Sequence, residues 1–209
     1  MHIVCSDLEG VFVPEIWINV AQITGIDELR LTTRDISDYN VLMRKRLSIL
    51  DANGLTLHDI QQVIATMEPL KGALELLDWL RARTRVIIVS DTFVEFAAPL
   101  IEKLQRPTLF CNSLTVAPDG RITDYTLRQQ DGKRKVVEGL QGMNFKVVAM
   151  GDSYNDITML QTAEKGILFR PPENVVAEYP EFPVTDNFED LRELLGKALA
   201  DLSDGSGQA

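Results

Sequence analysis

Five short, almost uninterrupted apolar runs constrain this chain more than any other feature. They are "HIVCSD" (2–7), "VIIVSD" (86–91), "TLFCN" (108–112), "KVVAMGD" (146–152) and "GILF" (166–169). Runs of this length without polar alternation fit parallel strands covered on both faces. Segments of helical period separate them: "GALELLDWLRA" (72–82), "EFAAPLIEKL" (95–104) and "FEDLRELLGKALADL" (188–202). The last places Leu191, Leu194, Leu195, Ala198, Leu199 and Leu202 on one face, behind Asn187 as a helix cap. The predicted fold is α/β, a doubly wound three-layer (Rossmann-like) core.

Two segments break the alternation. Residues 15–70 read as several helices and no strand, in "EIWINVAQITG", "YNVLMRKRLSIL" and "LHDIQQVIATM", the last capped by Thr56. That is too long for a simple crossover, so a small helical cap inserted after strand 1 is expected. The stretch "LTVAPDGRITDYTLR" (114–128) reads as a small β-hairpin insertion turning at Asp119–Gly120. The expected organisation is a core of residues 1–14 and 71–202, a helical cap of 15–70 governing substrate specificity, and a disordered tail, "SDGSGQA" (203–209).

Composition works by exclusion. A formal net charge of −10 leaves no basic footprint for nucleic acid. No apolar run approaches the length of a membrane span, and the run before Asp7 is too short for the core of a signal peptide. The expected compartment is the cytoplasm. Cys5 and Cys111 both lie in apolar strands and read as small core hydrophobes in a reducing compartment. His2 and His58 are the two histidines, one at the chain start and one in a first helical turn. A Ser-His-Asp triad or a His-ligated zinc site is hard to build from them. No phosphate-cradling G-x-x-x-x-G-K-[ST] loop occurs. Chemistry here must run on carboxylates, hydroxyls, amines and guanidinium groups.

The strand ends supply the carboxylates. Three strands end in aspartate, at Asp7, Asp91 and Asp152, and "GDSYND" adds Asp156 one helical turn on. In open α/β sheets ligands bind outside the carboxyl ends of the strands, so these ends should converge. One such Asp alone reads as a helix cap. Three on one sheet, with Glu9 beside the first, read as a crevice whose hard oxygens hold Mg²⁺. A carboxylate there is placed to attack phosphorus and form an aspartyl-phosphate. Ser90 offers a hydroxyl at a strand end and Lys133 a point charge from the start of a helix, both suited to a transferring phosphoryl group. Gly10 allows a tight turn after Asp7, and Glu9 is placed to move a proton to and from the ester oxygen.

In order and in spacing, "DLEGV", "VSDT", Lys133 and "GDSYND" resemble the four motifs of the haloacid dehalogenase-like phosphatases, over nearly the whole chain. The resemblance implies Asp7 as nucleophile and Mg²⁺ ligand, and Glu9 as general acid/base whose backbone carbonyl also reaches the metal. It implies a phosphate-binding set of Ser90, Asp91, Lys133 and Asn155, with Asp152 as a metal ligand supported by Asp156. Lys135 is the alternative to Lys133, but it fits the helical register against Val136, Val137 and Leu140 less well and reads as a solvated charge. The family usually carries Asp where Glu9 stands.

Glu15 and the basic group Arg44, Lys45 and Arg46 sit in the expected cap. A Glu and an Arg facing one pocket suit a zwitterion, with Glu for the ammonium and Arg for the carboxylate; otherwise the basic group is a solvated helix face. "RKRLSIL" and the placement of Glu15 resemble the phosphoserine phosphatases, which implies carboxylate binding by Arg46 and, after a one-residue loop deletion, amine binding by Glu15. More narrowly, "DLEGV", "VPEIW", "TTRDI" and "GDSYND" are similar to bacterial phosphoserine phosphatases that also pass the phosphoryl group to homoserine, a branch carrying Glu at position 9. What this implies is hydrolysis of L-phosphoserine, with water or L-homoserine as acceptor. One methylene is discriminated only about 10- to 200-fold in an apolar pocket. The partners expected are these small molecules, with no nucleic acid and no membrane, and a homodimer is left open. The competing readings are a phosphatase for another small ester such as a sugar phosphate or nucleotide, a phospho-accepting receiver module, and an inactive interaction domain. A receiver needs neither the helical insertion nor Glu9.

Overall fold

The computed structural model describes residues 1–32, 35–36 and 38–204. Strand β1 (His2–Ser6) leads into helices α1 (Ile16–Thr24), α2 (Tyr39–Ala52) and α3 (Leu57–Ala65). Then follow α4 (Ala73–Arg81), β2 (Arg85–Phe93), α5 (Val94–Lys103), β3 (Thr108–Val116) and β4 (Ile122–Thr126). The chain continues through α6 (Gly132–Gly142), β5 (Lys146–Gly151), α7 (Ile157–Thr162), β6 (Lys165–Phe169), α8 (Glu173–Glu178), β7 (Val184–Thr185) and α9 (Phe188–Asp204).

Among the described residues the strands form one seven-stranded sheet in the order β4-β3-β2-β1-β5-β6-β7. Every pair is parallel except β3–β4. The apolar runs are continuous because both faces are covered. Val4, Val148, Met150, Ile167 and Phe169 point into one cluster with Leu76 and Leu80 of α4 and Leu191 and Leu195 of α9. Their sequence neighbours Ile3, Cys5, Val147, Ala149 and Leu168 point into the other, with Val136 and Val137 of α6 and Met159 and Leu160 of α7. The period-two pleat divides each run between two layers of helix.

The segment between β1 and α4 carries α1–α3 and a 3₁₀ turn, Asp27–Arg30. Asp38 caps α2 by accepting from the Asn40 and Val41 amides, and Thr56 and Asp59 form a reciprocal capping box on α3. Ile16, Val20, Met43, Leu47, Ile60 and Ile64 join the same cluster as Phe96 and Leu100 of α5.

Several expectations need correction. Strand β2 does not stop at Asp91 but runs on to Phe93, with a register break against β3 between Val89 and Phe93. At this bulge the Asp91 carbonyl accepts from the Tyr39 hydroxyl (3.1 Å) and the Asn112 amide (3.0 Å). Side chains replace a ladder partner, as bulges beside functional sites permit. The predicted hairpin is present, but its first strand is not separate from the third core strand: β3 runs from Thr108 to Val116, and its far half pairs with β4. The turn falls at Gly120, at φ +87°. Cys111 is only half-buried, unlike the fully buried Cys5. The short α8 and β7 were not expected. Helix α9 extends to Asp204, beyond its predicted end at 202, with Leu202 buried against the core. Residues 205–209 of the expected tail, and Thr33 and Arg34 of "TTRDI", lie outside the described residues.

Candidate active site

Parallel pairing of β1 with β5 sets Cys5 opposite Ala149 and Ser6 opposite Met150, so Asp7 and Asp152 leave the sheet side by side. The Asp7 amide donates to the Met150 carbonyl at 3.0 Å, one last rung of the ladder. The chain then folds back on itself, with the Phe12 and Val13 amides donating to the Leu8 carbonyl at 2.9 and 3.1 Å. Gly10 makes the turn at φ +75°, and a Cβ there would stand 2.5 Å from the Asp152 carboxylate. Only glycine gives Asp152 this room.

Asp7 is buried. One of its oxygens accepts from the Leu8 amide (2.7 Å) and the other pairs with Lys133 Nζ (2.9 Å). Lys133, also buried, reaches Asp156 Oδ1 at 2.7 Å and lies 3.7 Å from Asp91 Oδ2. The second oxygen of Asp156 accepts from the amides of Asp152 (3.0 Å) and Ser153 (3.1 Å). The protein therefore saturates Asp156, which fixes the loop that carries Asp152. Gly151 makes the approach possible: a Cβ there would meet Asp156 Cγ at 2.3 Å.

One oxygen each of Asp7, Asp152 and Asp156 can be chosen so that all lie within 4.8 Å of one another. One ammonium does not balance them. Burial raises the Asp7 carboxyl well above its usual range; Lys133 opposes this, and Asp156 and Asp152 add to it. Asp152 is pushed up to about 7 by burial and then by Asp156 and Glu15. Burial also works against the charge on Lys133, but Asp156, Asp7 and Asp91 outweigh it and hold that ammonium firmly protonated. Hard oxygen donors with excess negative charge in a buried cluster fit a divalent cation.

Glu9 lines the same cavity as Asp7 and Lys133. Its Oε2 accepts from the Ile16 amide at 2.8 Å, at the start of α1. Burial, then the neighbouring Glu15 carboxylate, lift its carboxyl to about 8. Ser90 is buried, and its Oγ accepts from the Thr92 amide at 3.2 Å. Asn155 is exposed and donates to Asp91 Oδ2 at 2.9 Å. Asp7, Glu9, Ser90, Lys133, Asp152 and Asn155 face one cavity of about 920 Å³.

Another part of the same cavity wall comes from the helical insertion. Glu15, at the N-terminus of α1, and Arg46 of α2 both line it. Arg46 is only 7% exposed, unusual for a guanidinium. Its Nη2 donates to the Leu31 carbonyl at 2.7 Å, while its Nε is buried without a hydrogen-bond partner among the described residues. Burial lowers its pKa to about 10, against the support of Tyr39, Glu9 and Glu15. Arg44 and Lys45 are exposed; Arg44 pairs with Asp124 at 3.0 Å outside the cavity. Lys135 is exposed too, and paired with Glu138.

The lining residues that the sequence reading did not single out include Trp17, Tyr39 and Asn112. Asn112 donates to the Asp91 carbonyl and accepts from the Arg128 amide at 3.0 Å. Trp17 offered one signal, a large aromatic two residues after Glu15.

With this geometry in view, three comparisons bear on the chain. A family model described as haloacid dehalogenase-like hydrolase matches residues 28–161. The protein named phosphoserine phosphatase ThrH of Pseudomonas aeruginosa is 55% identical over 97% of this chain and 100% of its own length. A phosphoserine phosphatase of Pseudomonas syringae pv. tomato is 52% identical over 95% of this chain and 84% of its own. Among solved structures, a phospho-aspartyl intermediate analogue of phosphoserine phosphatase superposes with a TM-score of 0.75 at 25% identity, covering 94% of this chain and 98% of that one. Among the described residues no helix is long and apolar enough to cross a membrane.

Proposed function

Because the chain belongs to the haloacid dehalogenase-like hydrolases, we propose that it hydrolyses L-phosphoserine through an aspartyl-phosphate on Asp7 and passes the same phosphoryl group to L-homoserine when that alcohol is present. The observation that carries the reading is the make-up of one cavity. A buried carboxylate paired with a lysine stands at one end, and a buried arginine with an unpartnered Nε and a nearby glutamate stands at the other. The near-full-length identity to a protein named phosphoserine phosphatase supports it.

In the first half-reaction an Asp7 oxygen attacks phosphorus and the bond to the serine oxygen breaks. Lys133 and Ser90 bind phosphoryl oxygens, with the Asn155 amide beside them, while Asp91 holds Asn155 and faces Lys133. Glu9, lifted to about 8, enters protonated and gives its proton to the departing serine oxygen. In the second half-reaction Glu9, now a carboxylate, takes a proton from the acceptor hydroxyl. The acceptor oxygen attacks phosphorus and the bond to Asp7 breaks. Water yields phosphate; homoserine yields phosphohomoserine. Arg46 binds the substrate carboxylate and Glu15 its ammonium.

Enzymes of this family are metal-dependent, and the residues here suit Mg²⁺. Asp7, Asp152 and the Glu9 carbonyl would hold it, with Asp156 fixing the Asp152 loop. The ion would supply positive charge against the phosphate and the carboxylates, which Lys133 alone does not balance. The helical segment of residues 15–70 acts as the specificity cap. The free thiols of Cys5 and Cys111 are consistent with a cytoplasmic enzyme.

The test is incubation of the purified protein with phosphoserine and Mg²⁺, with and without homoserine, following phosphate and phosphohomoserine together by phosphorus NMR. The expected outcome is steady phosphate release, diverted in part to phosphohomoserine when homoserine is added. Release of phosphate with no diversion removes the transfer. Turnover of sugar phosphates but not of phosphoserine moves the enzyme to another ester. A single equivalent of stable phospho-protein marks a receiver.

A further inference from the structure

The proposed function leaves the indole of Trp17, on the cavity wall, without a role. The Arg46 guanidinium carbon lies 4.5 Å from the centroid of this ring. Trp17 is itself held by an edge contact to Phe96, ring centroids 5.4 Å apart at 70°. Phe96 is fully buried in α5, immediately after strand β2, which carries Ser90 and Asp91. Trp17 therefore joins the buried Phe96 to Arg46.

Arg46 needs such a support. Its long stem would otherwise sample several rotamers, at a cost in ordering when a ligand binds. Around the guanidinium, Nη2 is committed to the Leu31 carbonyl (2.7 Å), Nη1 faces the Met43 sulfur at 3.7 Å, and Nε has no partner among the described residues. One hydrogen bond and one ring face beside the group together restrict its orientation, and that orientation decides where a planar carboxylate can be gripped. A cation over an aromatic face is held more strongly where water is excluded, and both Arg46 and the Phe96 side of Trp17 are dry.

We propose that Trp17 is a positioning residue, whose indole face sets the plane and reach of Arg46 so that the cavity selects phosphate esters bearing a carboxylate. The inference rests on the reading that Arg46 binds the substrate carboxylate. It distinguishes Trp17 from an ordinary core aromatic, which would act on stability and on every substrate alike.

The experiment compares W17L, W17F, R46A and W17L/R46A with the unaltered enzyme, on phosphoserine and on p-nitrophenyl phosphate, which has no carboxylate. W17L is expected to raise KM for phosphoserine roughly 3- to 30-fold, the range a desolvated cation–aromatic contact accounts for. It leaves kcat, and KM for p-nitrophenyl phosphate, within about twofold, and W17F recovers most of the loss. In the R46A background W17L adds no further rise for phosphoserine, because its effect passes through the arginine. Equal losses on both substrates, or additive losses in the double variant, overturn the proposal while the role of Arg46 stands. Should R46A itself fail to separate the two substrates, the reading of Arg46 falls and the role of Trp17 with it. If W17L does not fold, by its urea unfolding curve, the coupling of W17F to R46A decides in the same way.

Discussion

The two ends of the cavity are built on different terms. At the strand ends, Asp7, Asp156 and Lys133 are locked by one another and by backbone amides, and the register of β1 against β5 sets Asp7 beside the loop that carries Asp152 and Asp156. At the helical end, Arg46 and Glu15 ride on α1 and α2. Helix α2 reaches the sheet mainly through side chains: Tyr39 to the Asp91 carbonyl, Asn40 to the Tyr125 hydroxyl, and Arg44 to Asp124. Sheet register tolerates no small displacement, because a one-residue slip reverses every side chain. A helix held by side chains can shift by fractions of an ångström and change what it accepts. In the proposed function the reaction belongs to the first end and the choice of ester to the second.

The harshest way to break this division is Asp7→Asn. Asparagine keeps the shape and can still accept from the Leu8 amide, but it removes the attacking oxygen and the charge facing Lys133. Loss of a covalent nucleophile is expected to lower kcat by roughly 10⁴-fold or more on every ester alike, with KM for phosphoserine little changed. A variant that turned over phosphoserine at an appreciable rate, or that lost affinity rather than rate, would place the chemistry elsewhere.

A smaller effect tests the charge balance of the rigid end. Asp152 stands at about 7 against an ordinary 3.8, Glu9 at about 8 against 4.5, and Asp7 is raised in the same sense. The folded protein therefore keeps protons that the unfolded chain has already released. Such groups stabilise fully below their unfolded values, and the stabilisation is lost as pH rises through the folded ones. In chelator the melting temperature should thus fall between about pH 4.5 and 8, as these values place the window. Lys133, raised from 10.5, titrates above this window and does not offset it. Adding Mg²⁺ should flatten the slope, since a cation removes the reason to hold protons. Parallel melting curves with and without Mg²⁺ would mean that these carboxylates do not share a metal.

The rigid end was also the more legible of the two in the sequence. Apolar runs closing on Asp7 and Asp152, and Asp156 four residues on, needed only strand and turn periodicity to bring them together. Lys133 was separated from Lys135 by the register of Val136, Val137 and Leu140, and the structure buries the first and exposes the second. Other features had no local signal. The overrun of β2 past Asp91 looks like the polar start of a loop, because Tyr39 and Asn112, which hold the bulge, come from distant segments. The continuity of β3 into the hairpin is hidden for a similar reason: its two halves pair with different neighbours. Strand β7, Val184–Thr185, is too short to carry any period. The placing of Arg46 over the Trp17 ring joins two helices and leaves no trace in either.

The smallest predicted effect sharpens the comparison at the adjustable end. Arg44 and Arg46 stand two residues apart on α2, and the turn of the helix sends them to opposite sides. Arg44 lies over the Tyr125 ring at 5.5 Å and pairs with Asp124, both partners well exposed. Exposed pairs of this kind contribute about 0.2 to 1 kcal/mol, so Arg44→Ala should shift the urea midpoint only slightly. Because Tyr39 and Asn40 still tie α2 to the sheet, KM for phosphoserine should move less than about threefold, well under the change from removing Arg46. A loss on Arg44→Ala as large and as selective as that on Arg46→Ala would show that selection depends on how α2 is held over the hairpin. The grip of a single guanidinium would then not be what picks the ester.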